Sequence, residues 1–571
     1  MLKIWRKMNG KRVAIILALI LFEALMFLLF PTLAAEILNV SSLNQDQAMV
    51  QRIGFFMMSA NVVALILAII STYLSARESQ NLGHQLRMGI FKQVMSFSRD
   101  NISEFGTSTL LTRTTNDIMQ IQFMTMISLR LAVISPIIMI VSAVFAYRQE
   151  PQLAWIFAIT LPLIIIGLYF IFRNANPIFR KMQRLIDQLN KVFREGLTGI
   201  RVIRAFNTQE FEEKRFDEAN VTYRDNAIRA FNIINFMFPV MIAIIGISNT
   251  LIFTNGSRYI AAGHMQVGSL IAFVQYSVQL LFSVLQFSML LFFLPRAQVA
   301  AERINQVIET ESSIQDPIEP VSLSGRPLSL QYQDVDFGFE GSERDTLIDI
   351  NFEAHPGDTV AIIGGTGSGK STIVNLLIRL HDATSGQILL SGVDIRDITQ
   401  RELRSRIGYA SQKAVLFAGT IRSNLLYGKP NATDRELCDA LEIAQADFVR
   451  DLPHGLDSRV EQGGVNFSGG QKQRLSIARA IVSQPDIYVF DDSFSALDFK
   501  TDAKLRQALR PITREAITII IAQRVNTVID ADTILVLDNG RVVGQGTHEE
   551  LKVTNEVYQD IIDSQMRGED I

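Results

Sequence analysis

The chain has 571 residues, too many for one hydrophobic core, and its net charge of −3 gives no reason to expect nucleic acid, which calls for a basic stripe. Hydrophobic residues make up 48% and charged residues 19%, and the shortage of charge falls in the first 300 residues, so a membrane part precedes a soluble part. One cysteine, Cys438, excludes an intrachain disulfide, and six scattered histidines show no metal-ligand spacing.

Six apolar stretches each approach the ~20 residues needed to cross a bilayer. They run from Val13 to Ile37, Ile53 to Leu74, Met124 to Tyr147, Leu153 to Phe172, Phe231 to Thr254 and Met265 to Leu294. The long polar segments 75–123 and 173–230 are rich in Arg and Lys, as is the run Lys3 to Arg12, whereas the other connections are poor in both. The positive-inside rule therefore puts the N-terminus, both long segments and the C-terminal part on the cytoplasmic side of a multi-pass membrane protein. Thr32-Leu-Ala-Ala35 resembles a signal cleavage site, but removing the first span would leave an odd number, so the span is expected to be retained.

The two long segments read as helices continuing out of the membrane, each with an irregular tip, at Phe97 to Gly106 and at Arg201 to Phe211. Such a tip either docks on a soluble domain or caps a solvated hairpin. Inside the sixth span, Gln275, Gln279, Ser283 and Gln286 share an arc of roughly 80°. That stripe lines a substrate cavity or serves as hydrogen-bonding glue between spans. Glu23, deep in the first span, either recognises a cationic cargo or is structural, pairing with a neighbour such as Arg130 or staying protonated; the structural reading is favoured.

A transmembrane domain over 1–308 gives way to a proline-bearing linker over 309–327 and a soluble domain over 328–571. The fold class is thus multi-domain: an all-α, six-span domain with long cytoplasmic extensions, then an α/β domain. Apolar runs at Leu328 to Phe339, Val360 to Ile363, Ile487 to Phe490, Ile517 to Ile521 and Thr533 to Leu537 read as strands, the central ones buried on both faces. Asn539-Gly540 is a hairpin turn.

The apolar run Asp358 to Ile363 leads into Gly364, Gly365, Thr366, Gly367, Ser368, Gly369, Lys370, Ser371 and Thr372, and a helix-like run follows. Glycines at 364, 367 and 369 let successive N–H groups turn around a triphosphate. Lys370 reaches the β/γ-phosphates, Ser371 offers its hydroxyl to Mg²⁺, and the helix dipole points at the anion, so ATP and Mg²⁺ are the expected ligands and 328–571 reads as a nucleotide-binding domain, an α/β P-loop ATPase. Ile487-Tyr-Val-Phe-Asp-Asp492 supplies a second nucleotide motif, with Asp491 for Mg²⁺ and Asp492 facing the attacking water. Ser468, Gly469, Gly470 and Gln471 open a helix and form a second anion nest, too far along the chain to belong to the first loop.

With Phe467-Ser-Gly-Gly-Gln471 in place, essentially the whole chain resembles the ATP-binding cassette exporters, in the half-transporter arrangement of six spans and one nucleotide domain. The resemblance implies that each ATP lies between the phosphate loop of one half and the signature of another. It implies that Phe339 stacks on adenine, that Gln412 senses Mg²⁺ and the membrane part, that Asp498 in Ser495-Ala-Leu-Asp498 speaks across the dimer, and that both tips are coupling helices. Two positions depart from the family pattern: Asp492 stands where Glu is usual, and Gln523 in Ile521-Ala-Gln-Arg524 where the resemblance implies a switch His that contacts the γ-phosphate.

Asp is one methylene shorter than Glu, a retreat of roughly 1–1.5 Å, and misplacement of that order costs about 10²-fold. Gln cannot carry a charge or shuttle a proton as His can. Together these changes resemble the degenerate subunit of bacterial heterodimeric multidrug exporters. The resemblance implies a partner half-transporter with intact Glu and His, small amphipathic cargo, and hydrolysis mainly where this chain's signature completes the partner's site. A lipid or peptide cargo, or an ATP-gated channel or sensor, are the competing readings.

Overall fold

The computed structural model describes residues 2–43, 46–323, 325, 328–339 and 341–569. Pro327, read from sequence as part of the linker, lies outside them. The chain divides into two compact units, one of residues 1–95 and 107–310, the other of residues 96–106 and 311–571.

The first unit is helical, and six of its helical stretches are long and apolar enough to cross a membrane. They are built from α1 (Gly10–Leu43), α2 (Gln47–Met95), α4 (Ile118–Gln149), α5 (Trp155–Thr198), α7 and α8 (Gln209–Asn235 and Met237–Ala261) and α9 (Val267–Glu309). At 1.5 Å per residue the 49 residues of α2 extend on the order of 70 Å, well beyond a ~30 Å hydrocarbon core. Burial runs opposite to that of a water-soluble helix. In α2, Ser71, Ser75, Glu78 and Ser79 are buried while Phe55, Leu65 and Ile69 are exposed. Small and polar side chains let helices approach and hydrogen-bond, and the apolar ones are left for lipid.

Glu23 sits in this interior, 6% exposed. Its Oε1 lies 2.9 Å from the Arg130 guanidinium and its Oε2 accepts from the Ser71 hydroxyl at 2.8 Å. Arg130 also donates to the Ala68 carbonyl and to Thr72. One ion pair thus ties α1, α2 and α4, and Glu23 is not a free carboxylate in a substrate cavity. Of the polar stripe, Gln275 and Gln279 are half-buried, Gln286 is exposed, and Ser283 bonds within its own helix to Leu280. The Gln279 carbonyl oxygen is buried without a partner, and among the described residues none of the three glutamines bonds to another span, so the glue reading finds no bond in this chain.

The two tips differ. Residues 96–106, including α3 (Arg99–Phe105), belong to the second unit. There Ser313 donates its backbone N–H to Asn101 and its hydroxyl to Ser98, and His381 meets Asp100 at 3.0 Å. At the second tip, α6 (Ile200–Ala205) stays in the first unit and exposes Val202 and Phe206.

The second unit holds the P-loop ATPase architecture. Strands β1 (Leu330–Phe337), β2 (Leu347–Ala354), β4 (Ser385–Leu390) and β5 (Val393–Asp394) form an antiparallel sheet in the order β2-β1-β4-β5. A six-stranded sheet, in the order β12-β11-β3-β10-β9-β6, joins β3 (Thr359–Gly364), β6 (Ile407–Ala410), β9 (Ile487–Asp491), β10 (Ile517–Ile521), β11 (Thr533–Asp538) and β12 (Arg541–Gly546). Only β12 is antiparallel, closing the Asn539-Gly540 hairpin. A two-residue bridge pairs β7 (Gly419–Thr420) with β8 (Arg459–Val460). Ile363, Phe490 and Ile520 face one hydrophobic core, Ile362, Val489 and Ile521 another. Cover on both faces is why these strands read as unbroken apolar runs.

Removing the cation from the membrane ion pair strands a buried carboxylate. Arg130→Ala is expected to destabilise by about 2–3 kcal/mol, under the ~3–5 of a fully buried pair because Arg130 is 32% exposed. The double variant Glu23→Gln/Arg130→Met should recover most of the loss in a thermal-melting measurement in detergent.

Candidate nucleotide site

The parallel strands put the site where they end. Ile521 lies opposite Asp491 on one side and Ile362 on the other, and Ala410 lies opposite Phe490, so the segments leaving β3, β6, β9 and β10 emerge together at one edge. Phosphate-binding sites form at such an edge, beyond the carboxyl ends of parallel strands.

Beyond β3 the phosphate loop turns through Gly367 and Gly369, at φ +85° and +101°, backbone that a side chain would resist. Gly369 then opens α10 (Lys370–Leu377). At Gly364 a Cβ would come within 2.2 Å of the Leu537 carbonyl, so contact with β11 fixes that glycine. Lys370 is buried and donates to the carbonyls of Gly364 and Gly365 at 2.8 and 2.6 Å. Burial pushes its ammonium pKa down, and the nearby Asp492 and Asp491 pull it back up. The Ser368 hydroxyl is buried with no hydrogen-bond partner. Thr372 is buried within α10.

Ser371 donates to Asp491 Oδ1 at 3.0 Å. A hydroxyl and a carboxylate side by side are hard oxygen ligands, and with the unpartnered Ser368 and the inward lysine they suit Mg²⁺ and a phosphate chain. Burial pushes the Asp491 carboxyl up; the Ser371 hydrogen bond opposes this and Asp492 adds to it. Tyr409 on β6, a residue to which the sequence reading assigns no role, lies 3.5 Å from Asp491 Oδ2, and its hydroxyl is pushed up to about 12, first by burial and then by the aspartate.

Asp492 follows β9 in the left-handed region, φ +46°, with its N–H on the Ile521 carbonyl. That turn aims the carboxylate back over the strand ends. Its Oδ2 accepts from Gln412 Nε2 at 3.2 Å and from Gln523 Nε2 at 3.0 Å. The structure therefore gathers three of the four residues that the sequence reading treats as catalytic, Asp492, Gln412 and Gln523, around one carboxylate oxygen, while Ser468 lies apart from them. Gln473 holds the strand end before Gln412 by donating to the Ser411 carbonyl.

Phe339 is 43% exposed, and Phe337 and His381 pack edge-on to it at 4.9 and 5.4 Å. These contacts fix the ring and leave area for a base. The signature residues lie elsewhere. Ser468 is the N-cap of α11 (Gly469–Val482): its hydroxyl accepts from the Gln471 N–H, and the Gln471 side chain accepts the Ser468 N–H in return. Gly469 is exposed, Gly470 partly so, and among the described residues no hydrogen bond joins 468–471 to 364–372. Asp498 caps α12 (Phe499–Thr513) through the N–H and hydroxyl of Thr501, which hold its carboxyl below the usual range.

Because Asp491 must be ionised to bind a cation, its raised pKa lets protons compete at a higher pH than at an ordinary aspartate. Mg²⁺-dependent nucleotide affinity should therefore begin to fall, as pH drops, above the usual carboxylate range. Asp491→Asn, measured in parallel, should keep only the pH dependence of the nucleotide itself.

Comparison with known proteins agrees with this arrangement. Residues 13–284 match the ABC transporter transmembrane region family and residues 347–495 match the ABC transporter family. The chain is 40% identical to an uncharacterized ABC transporter ATP-binding protein of Mycobacterium tuberculosis, over 97% of this chain and 96% of that one. It is 36% identical to the YfiB ABC transporter ATP-binding protein of Bacillus subtilis, over the same shares. A putative multidrug export ATP-binding/permease protein of Staphylococcus aureus is 29% identical over 89% of this chain and 88% of its own. The structure of a bacterial Atm1-family ABC exporter with ATP bound superposes with a TM-score of 0.82 at 26% identity, covering 97% of this chain and 98% of that one. Six membrane-spanning helices followed by this P-loop domain, matched along nearly its whole length, make the chain a multi-pass ABC exporter, a member of the ABC transporter family.

Proposed function

We propose that this chain is one half of a heterodimeric exporter of drugs or other amphipathic compounds, in a bacterial plasma membrane with its N-terminus and nucleotide unit cytoplasmic. Its own ATP site is slow or inactive, and its Ser468, Gly469, Gly470 and Gln471 complete a productive site on a partner half-transporter bearing Glu and His. The observation that carries this reading is the carboxylate at 492, short by a methylene and holding two glutamine amides on one oxygen. Neither amide can accept a proton from water or pass one on, and both compete for the lone pairs that orient it.

The geometry supports the following roles. Ser371 and Asp491 would hold Mg²⁺, which supplies charge neutralisation along the phosphates. Lys370 and the loop N–H groups bind and orient the triphosphate, and Phe339 takes the adenine. Gly469, exposed, and Gly470, partly exposed, stand at the start of α11, where the first N–H groups lack intrahelical acceptors, which supports a nest for a partner's nucleotide. The multidrug cargo is supported by the name of the S. aureus relative.

In the purified complex, Ser468→Ala should depress ATP turnover at least about tenfold while Asp492→Asn changes it less than about twofold; equal effects would refute the asymmetry. In inside-out vesicles, ATP should drive uphill accumulation of an amphipathic dye. A dye flux that only follows its gradient would mark a channel instead.

A further inference from the structure

The last helix, α13 (Glu556–Glu569), carries a contact that the nucleotide motifs do not account for. Tyr558 anchors it, fully buried and bonded to His548 at 2.8 Å, and Val557, Ile561 and Ile562 pack on the core beneath the sheet. One turn beyond Ile561, on the same face, stands Gln565. Its Nε2 donates to the Gln523 carbonyl at 2.7 Å and its Oε1 accepts from the Val525 N–H at 2.9 Å. A single planar amide therefore bridges both ends of the turn that leaves β10. The Val525 N–H opens a short helix, where no intrahelical acceptor exists. On the other side of the same turn, the Arg524 guanidinium lies 5.4 Å over the Phe499 ring at the start of α12.

The turn is thus pinned from two elements, and Gln523, between the pins, is left with its side chain on Asp492. We propose that Gln565 is a positioning residue for the switch at 523: α13, through one amide, sets where the Gln523 side chain points, and so how well the site distinguishes ATP from ADP. This rests on the reading of Gln523 as the residue facing the γ-phosphate. Gln565 does not itself touch nucleotide; it acts through the backbone of 523–525.

The test uses the full-length protein in its native complex and photolabelling of this chain with 8-azido-ATP, competed by ATP or by ADP with Mg²⁺. Gln565→Ala should lower the preference for ATP over ADP by about three- to tenfold, the effect of losing hydrogen bonds of this kind, with ADP affinity unchanged. Gln565→Glu keeps the acceptor for Val525 but sets a carboxylate against the Gln523 carbonyl. Its preference, compared with wild type at the same pH, should be lost at pH 8 and return only as the pH falls through the ordinary carboxylate range, about 4, where the protonated carboxyl donates again. A structural role for α13 alone would not produce that pH profile. An unchanged preference in Gln565→Ala, or equal weakening of ATP and ADP, overturns the proposal if Gln523→Ala does lower the preference. If Gln523→Ala also leaves it unchanged, the γ-phosphate reading fails and the proposal falls with it.

Discussion

The nucleotide unit depends on one constraint: the strands of a parallel sheet covered on both faces all end at the same edge. Because Ile362, Asp491 and Ile521 are in register, whatever follows β3, β9 and β10 is brought together without any contact between side chains having to arrange it. Asp491 ends its strand and Asp492 follows it, Gln523 stands two residues past β10, and the phosphate loop fills the short gap between β3 and α10. Their chemistry lies in loops, and the hydrophobic layers beneath keep the loop ends fixed.

The same sheet explains why the site is sensitive to single side chains. Asp492 and Gln523 come from adjacent strands and Gln412 from the next one out, so a change of one methylene or one ring alters a contact rather than a fold. The 3.0 and 3.2 Å bonds on Asp492 Oδ2 arise from this crowding. The membrane unit follows the opposite rule of burial. There the interior is where polar groups find partners, and Glu23 with Arg130 is the strongest instance, a charge pair that fastens three helices at once.

What was legible in the sequence was what is local in the chain. The phosphate loop, the signature and the six spans each occupy consecutive residues, and the six apolar stretches overlap the six long apolar helical stretches found among the described residues. Unbroken apolar runs marked the central strands because both faces are covered. The antiparallel sheet was mostly missed, since β5 is only two residues long and β2 and β4 are half-exposed, with Asp349 and Gly386 in the left-handed region interrupting their alternation. Pairings distant in the chain were legible only as options. Glu23 and Arg130 are 107 residues apart, so the sequence offered the ion pair and a cargo-binding carboxylate side by side. Tyr409 beside Asp491, His381 on Asp100 and Gln565 on the switch turn left no local signal at all.

The central claim is that this chain's own site is the weaker of two in an asymmetric pair. The most direct measurement is the native mass of the complex purified from its own cells through a tag on this chain. The account predicts a pair of this 64.0 kDa chain with a different half-transporter that carries Glu and His at the positions of Asp492 and Gln523. A stable homodimer with rapid ATP turnover would contradict it, because both sites would then work with Asp492 and Gln523.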